Sequence, residues 1–133
     1  MTTTTRATCT FEITAWEPVE YDDQEGVKLT RTHVAKAFHG DLEGQSTAEL
    51  LMAGAPTGSA VYVGLERIAG SLHGMLGGFV LVHDASMSSD GQSLSLTIMR
   101  DSGTGELQGI GGQGNITIDA DGGHTLTLDY DLS

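Results

Sequence analysis

The sequence predicts an all-β protein built as a closed, eight-stranded antiparallel meander barrel. Three observations carry this reading. Apolar and polar residues alternate in about eight short runs, parted at regular spacing by turns rich in glycine, proline or aspartate, as in a barrel or sandwich. Glycine is frequent (19 of 133 residues), only 18% of residues are charged, and no convincing long helix stands out. Finally, Ser102–Gly114 is punctuated by glycines and leads straight into the alternating run Asn115–Ile118. A sheet that closes on itself needs such residues where it bends. No lysine follows these glycines and a strand-like run comes next, so the stretch reads as architecture and not as a phosphate cradle.

The first run, Thr8–Trp16, puts Cys9, Phe11, Ile13 and Ala15 on one face and Thr8, Thr10, Glu12, Thr14 and Trp16 on the other. Pro18 is expected to end it, and the acidic stretch Val19–Val27 to form a loop at the barrel mouth. Leu29–Phe38 splits into Leu29, Arg31, His33, Ala35, Ala37 against Thr30, Thr32, Val34, Lys36, Phe38. Gly40–Gly44 is a turn signal. Thr47–Ala53 contains good helix formers, but its hairpin context favours a strand with Thr47, Glu49 and Leu51 on one face. After the turn Pro56–Ser59, Ala60–Ala69 sets Tyr62, Gly64, Glu66 and Ile68 against Val61, Val63, Leu65 and Arg67. Gly70–Gly78 reads as a corner. Phe79, Leu81 and His83 then oppose Val80, Val82 and Asp84, and Ser88–Gly91 supplies a hairpin turn. Ser93–Met99 has the clearest period of two, and Asn115–Asp119 pairs with Thr125–Leu132 across Asp121–Gly123.

Length suits one domain. Six basic against eighteen acidic residues give a formal charge of −12, which argues against nucleic acid or an anionic membrane as partner. Cys9 is the only cysteine, so no intrachain disulfide forms, and it reads as a small strand residue. No apolar run is long enough for a membrane span, and the polar start Met1–Thr5 lacks the features of a secretory signal, so a cytoplasmic protein is expected. The histidines form no metal pair, although a site assembled from His33, His83 and a carboxylate on distant strands is conceivable; no metal and no cofactor is the expectation. No Gly-x-Ser-x-Gly elbow supports a serine nucleophile.

The order Gly-Thr-Gly, an apolar residue, and Gly-x-Gly-x-Gly before a strand resembles the late strands of allene oxide cyclase-like and dirigent-like barrels. A broader resemblance is to the bacterial family called domain of unknown function 3224. It rests on Thr10–Ile13 with Trp16, Lys28–Arg31, Gly40–Gly44, Gly64–Ile68, Gly78–His83, Ser102–Leu107 and Leu128–Leu132. The resemblance implies an allene oxide cyclase-like barrel; it implies fold far more than function. The chain departs from the family pattern at Leu72–Gly78, at Met99–Asp101 and at Asp84–Met87. These changes suggest either a more apolar ligand entrance, reshaped by divergence or engineering, near Met75, Met87 and Met99, or neutral drift in solvent-facing loops.

A small barrel either fills its interior or holds one small ligand. Tyr62 and Glu66 share a face with Gly64 leaving space between them, His83 shares one with Phe79 and Leu81, and Glu49 stands with Leu51. If these faces converge, a lumen carboxylate has its pKa raised towards neutrality and acts as a general base. The expectation is a cofactor-independent enzyme doing proton transfer, isomerisation or cyclisation on a small apolar or aromatic molecule. Glu66 is the base, Tyr62 and His83 position or donate, and Glu49 is a second acid. Trp16, His33, Phe79, Leu81 and Met99 are the expected substrate contacts. The alternatives are a non-catalytic carrier or sensor, with Glu49 or Glu66 merely paired to Lys36, Arg31 or Arg67, and a structural oligomer with a solid barrel. Outer apolar residues such as Val61, Val63 and Leu65 call for cover, so a homodimer is expected, with a trimer as the alternative.

Overall fold

The computed structural model describes residues 3–133. Nine strands follow one another: β1 (Thr5–Asp22), β2 (Lys28–Gly40), β3 (Leu42–Gly54), β4 (Ala60–Leu72), β5 (Met75–Ser88), β6 (Gly91–Ile98), β7 (Thr104–Gly105), β8 (Ile110–Ile118) and β9 (His124–Leu132). Each long strand pairs antiparallel with its neighbours in the order β4-β3-β2-β1-β9-β8-β6-β5, and β4 pairs with β5 to close the ring. The result is a closed eight-stranded antiparallel barrel with no helix among the described residues; β7 is a two-residue ribbon added to β5. Closure leaves no bare sheet edge over the paired part.

The strands run further than the alternation predicts. The corner expected at Gly70–Gly78 is a continuous hairpin: β4 reaches Leu72 and β5 starts at Met75 across His73 and Gly74, both at positive φ (48° and 82°). Two left-handed residues make the turn whose twist matches flanking strands. The bend itself lies in the strands. Gly44 faces Gly70, Gly70 faces Gly77 and Gly77 faces Gly105, a row of glycines across β3, β4, β5 and β7. A Cβ on Gly44 would stand 2.2 Å from the Ala69 carbonyl oxygen, and one on Gly70 2.0 Å from that of Glu43. Side chains are excluded there by the backbones themselves.

β1 is also longer than expected. Pro18 does not end it, and Val19–Asp22 is strand, not loop. Beyond Phe11, its last partner position on β9, β1 pairs only with β2, so one edge is free and a missing N–H is tolerated. A bulge at Thr14, between the pairs Ile13–Lys36 and Ala15–Ala35, reverses the inward parity. Ala7, Cys9 and Phe11 point inward before it, while Ile13 is exposed; after it Trp16, Pro18 and Glu20 line the interior. Trp16 therefore reaches the lumen from the face opposite to the one shared by Cys9 and Phe11.

The interior has two halves. One is packed solid by Phe11, Phe38, Leu42, Leu72, Phe79 and Leu81, with Leu107 and Ile110 from the glycine-rich stretch as its plug. The other holds the smaller cluster Val34, Ala48 and Leu50 with Met52 and Tyr62, and opens to solvent.

Candidate functional site

A polar layer divides the two halves. It is formed by Lys36, Ser46, Glu66 and His83, each buried and each an inward-facing strand residue among apolar neighbours. Register brings them together: Lys36 faces Ser46, Glu66 faces Ala48, and His83 faces Gly64, two residues from Glu66. The Glu66 carboxylate is the hub. Its Oε1 lies 3.2 Å from Lys36 Nζ and 2.7 Å from His83 Nε2, while Oε2 accepts from the Ser46 hydroxyl at 2.5 Å. The Lys36 ammonium also stands 4.7 Å from the Phe11 ring centroid, a cation–π contact. No buried side-chain nitrogen or oxygen among the described residues lacks a partner.

Burial pushes the Glu66 carboxyl towards its neutral form, but the hydrogen bond from His83, the charge of Lys36 and the Ser46 hydroxyl together outweigh it. Its pKa is lowered. This corrects the expectation of a raised, base-like Glu66: it is an anion held by three partners. Being ionised, it can only accept, so His83 Nε2 carries a hydrogen. His83 Nδ1 in turn meets the Tyr62 hydroxyl at 3.3 Å. Burial first, and the Glu66 charge second, raise the Tyr62 pKa, so Tyr62 is a neutral phenol.

Tyr62 is where this chain meets open space. A cavity of about 770 Å³ at the mouth is lined by Trp16 and Pro18 from β1, Thr30 and Thr32 from β2, Met52 from β3, Tyr62 from β4, Met87 from β5 and Leu94 from β6. Glu20 and Lys28 stand in its lining too, Lys28 paired with Asp23 at 3.5 Å. Volume and apolar walls match a small-molecule pocket.

The other expected residues scatter. Glu49 and His33 point outward, because β3 turns Ser46, Ala48 and Leu50 inward and β2 turns Thr32, Val34 and Lys36 inward. Glu49 bonds His33 and Arg31 on the outer surface, and these hydrogen bonds, His33 first, lower its pKa. It is neither a second lumen acid nor part of a metal site with His83. Among the described residues no group of His, Cys, Asp and Glu is placed to hold a metal ion. Phe79 and Leu81 belong to the packed half and do not line the cavity. Met99 is exposed on the outside and Met75 packs against the solid core; of the three methionines expected at the entrance only Met87 is there. Lys36 and Ser46 complete the site, and Thr32 and Met52 its walls. The one signal for Lys36 was a lysine in phase with Thr32, Val34 and Phe38 on an otherwise uncharged face; Ser46 gave none.

No helix among the described residues is long and apolar enough to cross a membrane. The comparison with curated proteins finds no match. The chain is similar to a crystal structure of a protein with unknown function from the DUF3224 family of Shewanella oneidensis MR-1. The two share 34% sequence identity over 98% of each chain, with a TM-score of 0.90. Residues 7–130 match the family described as Protein of unknown function (DUF3224), and the chain belongs to that family.

Proposed function

We propose that this chain binds a small, largely apolar molecule in the mouth of its barrel and carries out a cofactor-independent proton transfer on it. In this reading it is a barrel of the allene oxide cyclase-like type, and Tyr62 is the group that touches the ligand. The observation that carries the reading is the position of Tyr62: its ring lines the cavity while its hydroxyl meets a histidine that an ionised carboxylate orients. A ligand proton moves onto the Tyr62 oxygen as the phenolic proton moves to His83 Nδ1. The resulting imidazolium faces the Glu66 anion, and the ligand is left as an enolate or alkoxide that the refilled phenol can hydrogen-bond. Glu66 is thus a positioning residue and His83, through Tyr62, the base. The reverse sequence returns the proton elsewhere on the ligand, which is an isomerisation.

A second reading, a non-catalytic carrier, is favoured by one observation: the buried polar groups are already fully bonded to one another. One pair of measurements separates the readings. Trp16, the only tryptophan, lines the cavity, so its fluorescence reports saturable binding of a neutral apolar probe such as N-phenyl-1-naphthylamine. Exchange of α-protons of cyclohexanone derivatives into deuterated buffer, followed by NMR, reports proton transfer. The expected result is saturable binding with exchange that falls at least roughly 100-fold in Tyr62→Phe. Binding without exchange would leave the carrier; no binding at all would end both readings.

A further inference from the structure

The outer surface of β3 and β4 carries a patch of exposed apolar residues. Register sets Leu51 opposite Val63 and Leu65 opposite Val82. Leu65, Val63 and Leu51 are 60%, 50% and 47% exposed. Contiguous apolar surface of this kind marks an interaction site on a small protein. The charge on the face identifies its occupant. Around these residues stand Arg31 and Arg67 against Glu17, Glu49 and Asp84, two arginines against three carboxylates. Nearly all of the chain's formal charge of −12 therefore lies on other surfaces. Repulsion between two copies is therefore least with these faces together.

The face is also complementary to itself. Along the strands Arg67 lies on one side of Leu65, and Asp84, which faces Val63, lies on the other. Neither makes an ion pair among the described residues. A two-fold axis lying in the interface and crossing the strands at Leu65 carries each Arg67 onto the partner's Asp84. We propose that a second copy of this chain docks here as an isologous dimer centred on Leu65, with two Arg67–Asp84 pairs closing its flanks. Leu51 and Val63 supply the desolvated centre, and the Arg31–Glu49–His33 group forms part of the polar rim. The cavity mouth stays accessible, since Trp16 and Tyr62 face the interior.

Sedimentation velocity tests this independently of any ligand. The wild-type chain is expected to sediment at dimer mass at micromolar concentration. Leu65→Glu is expected to give a monomer with unchanged circular dichroism and unchanged Trp16 response to the apolar probe. Arg67→Glu and Asp84→Lys should each raise the dissociation constant by about tenfold or more, and the two together should restore it. A monomeric wild type, a dimer untouched by Leu65→Glu, or a double reversal that fails to restore association would each overturn the proposal. The first outcome would hand the face to a different protein.

Discussion

Among the described residues, two hydrogen-bonded series each join a carboxylate, a histidine and a tyrosine, and their bonds are tight at opposite ends. In the interior, Glu66 holds His83 at 2.7 Å while His83 and Tyr62 are 3.3 Å apart. At the far end of the barrel, Asp41 and His73 are 3.5 Å apart while His73 and Tyr130 meet at 2.6 Å. Burial explains the reversal. Glu66 is 1% exposed and His83 3%, so the anion cannot turn to water and must be fully bonded by protein. The slack is passed to the phenol, which stands beside open space and can change partner. Asp41 is about half exposed and open to solvent, and the shorter bond forms at the buried Tyr130 instead. There it ties the β4–β5 turn to β9. One set of residue types thus gives a buried anion with its partners beside the cavity inside and a structural clasp outside.

The widest gap between the two should open at their carboxylates. Glu66→Gln leaves Lys36 buried without its counter-charge and is expected to cost about 3–5 kcal/mol, read by urea denaturation. Asp41→Asn, which keeps an acceptor for the Thr8 N–H, should cost no more than about 1 kcal/mol. Equal losses would mean that burial does not distinguish the two series. The same pair can be sharpened by pH. The lowered pKa of Glu66 contributes stability that is present above the unfolded carboxylate value of about 4.3 and is lost as pH falls through the folded value. Wild type should therefore lose stability more steeply than Glu66→Gln on titration from pH 5 downwards. Parallel curves would show that Glu66 is not the anionic hub.

Smaller effects are expected at the tyrosines. Tyr130→Phe removes the 2.6 Å bond and leaves His73 Nδ1 without its partner, at roughly 1–1.5 kcal/mol. Tyr62→Phe removes a longer bond at a partly open site and should cost only about 0.5 kcal/mol, while abolishing proton exchange. A thermal scan ranks the two. A larger loss from Tyr62→Phe would make it a structural residue and the inner series a second clasp.

The inner series was half legible beforehand. Period two placed Tyr62, Gly64 and Glu66 on one face and His83 on another, and these faces do converge. Glu49 failed for a reason alternation cannot supply: it marks which residues share a face, not which face is inside. Only closure of the sheet turns Ala48 and Leu50 inward and leaves Thr47, Glu49 and Leu51 outside. Trp16 shows the complementary limit. A single extra residue at Thr14 reverses parity, and nothing local in Ile13-Thr14-Ala15 announces it.

Alternation, turn residues and glycine content were enough to specify an all-β meander and most strand identities, because each is a property of neighbours along the chain. Register and closure lay outside that reach. They set Lys36 against Ser46 and His83 against Gly64, two residues from Glu66, they put Glu49 on the surface, and they turned a carboxylate expected to be a base into a fixed anion. These outcomes depend on residues from β2, β3, β4 and β5 meeting across a lumen. Ionisation in a buried site is decided by partners distant in sequence, so only the assembled barrel could decide it.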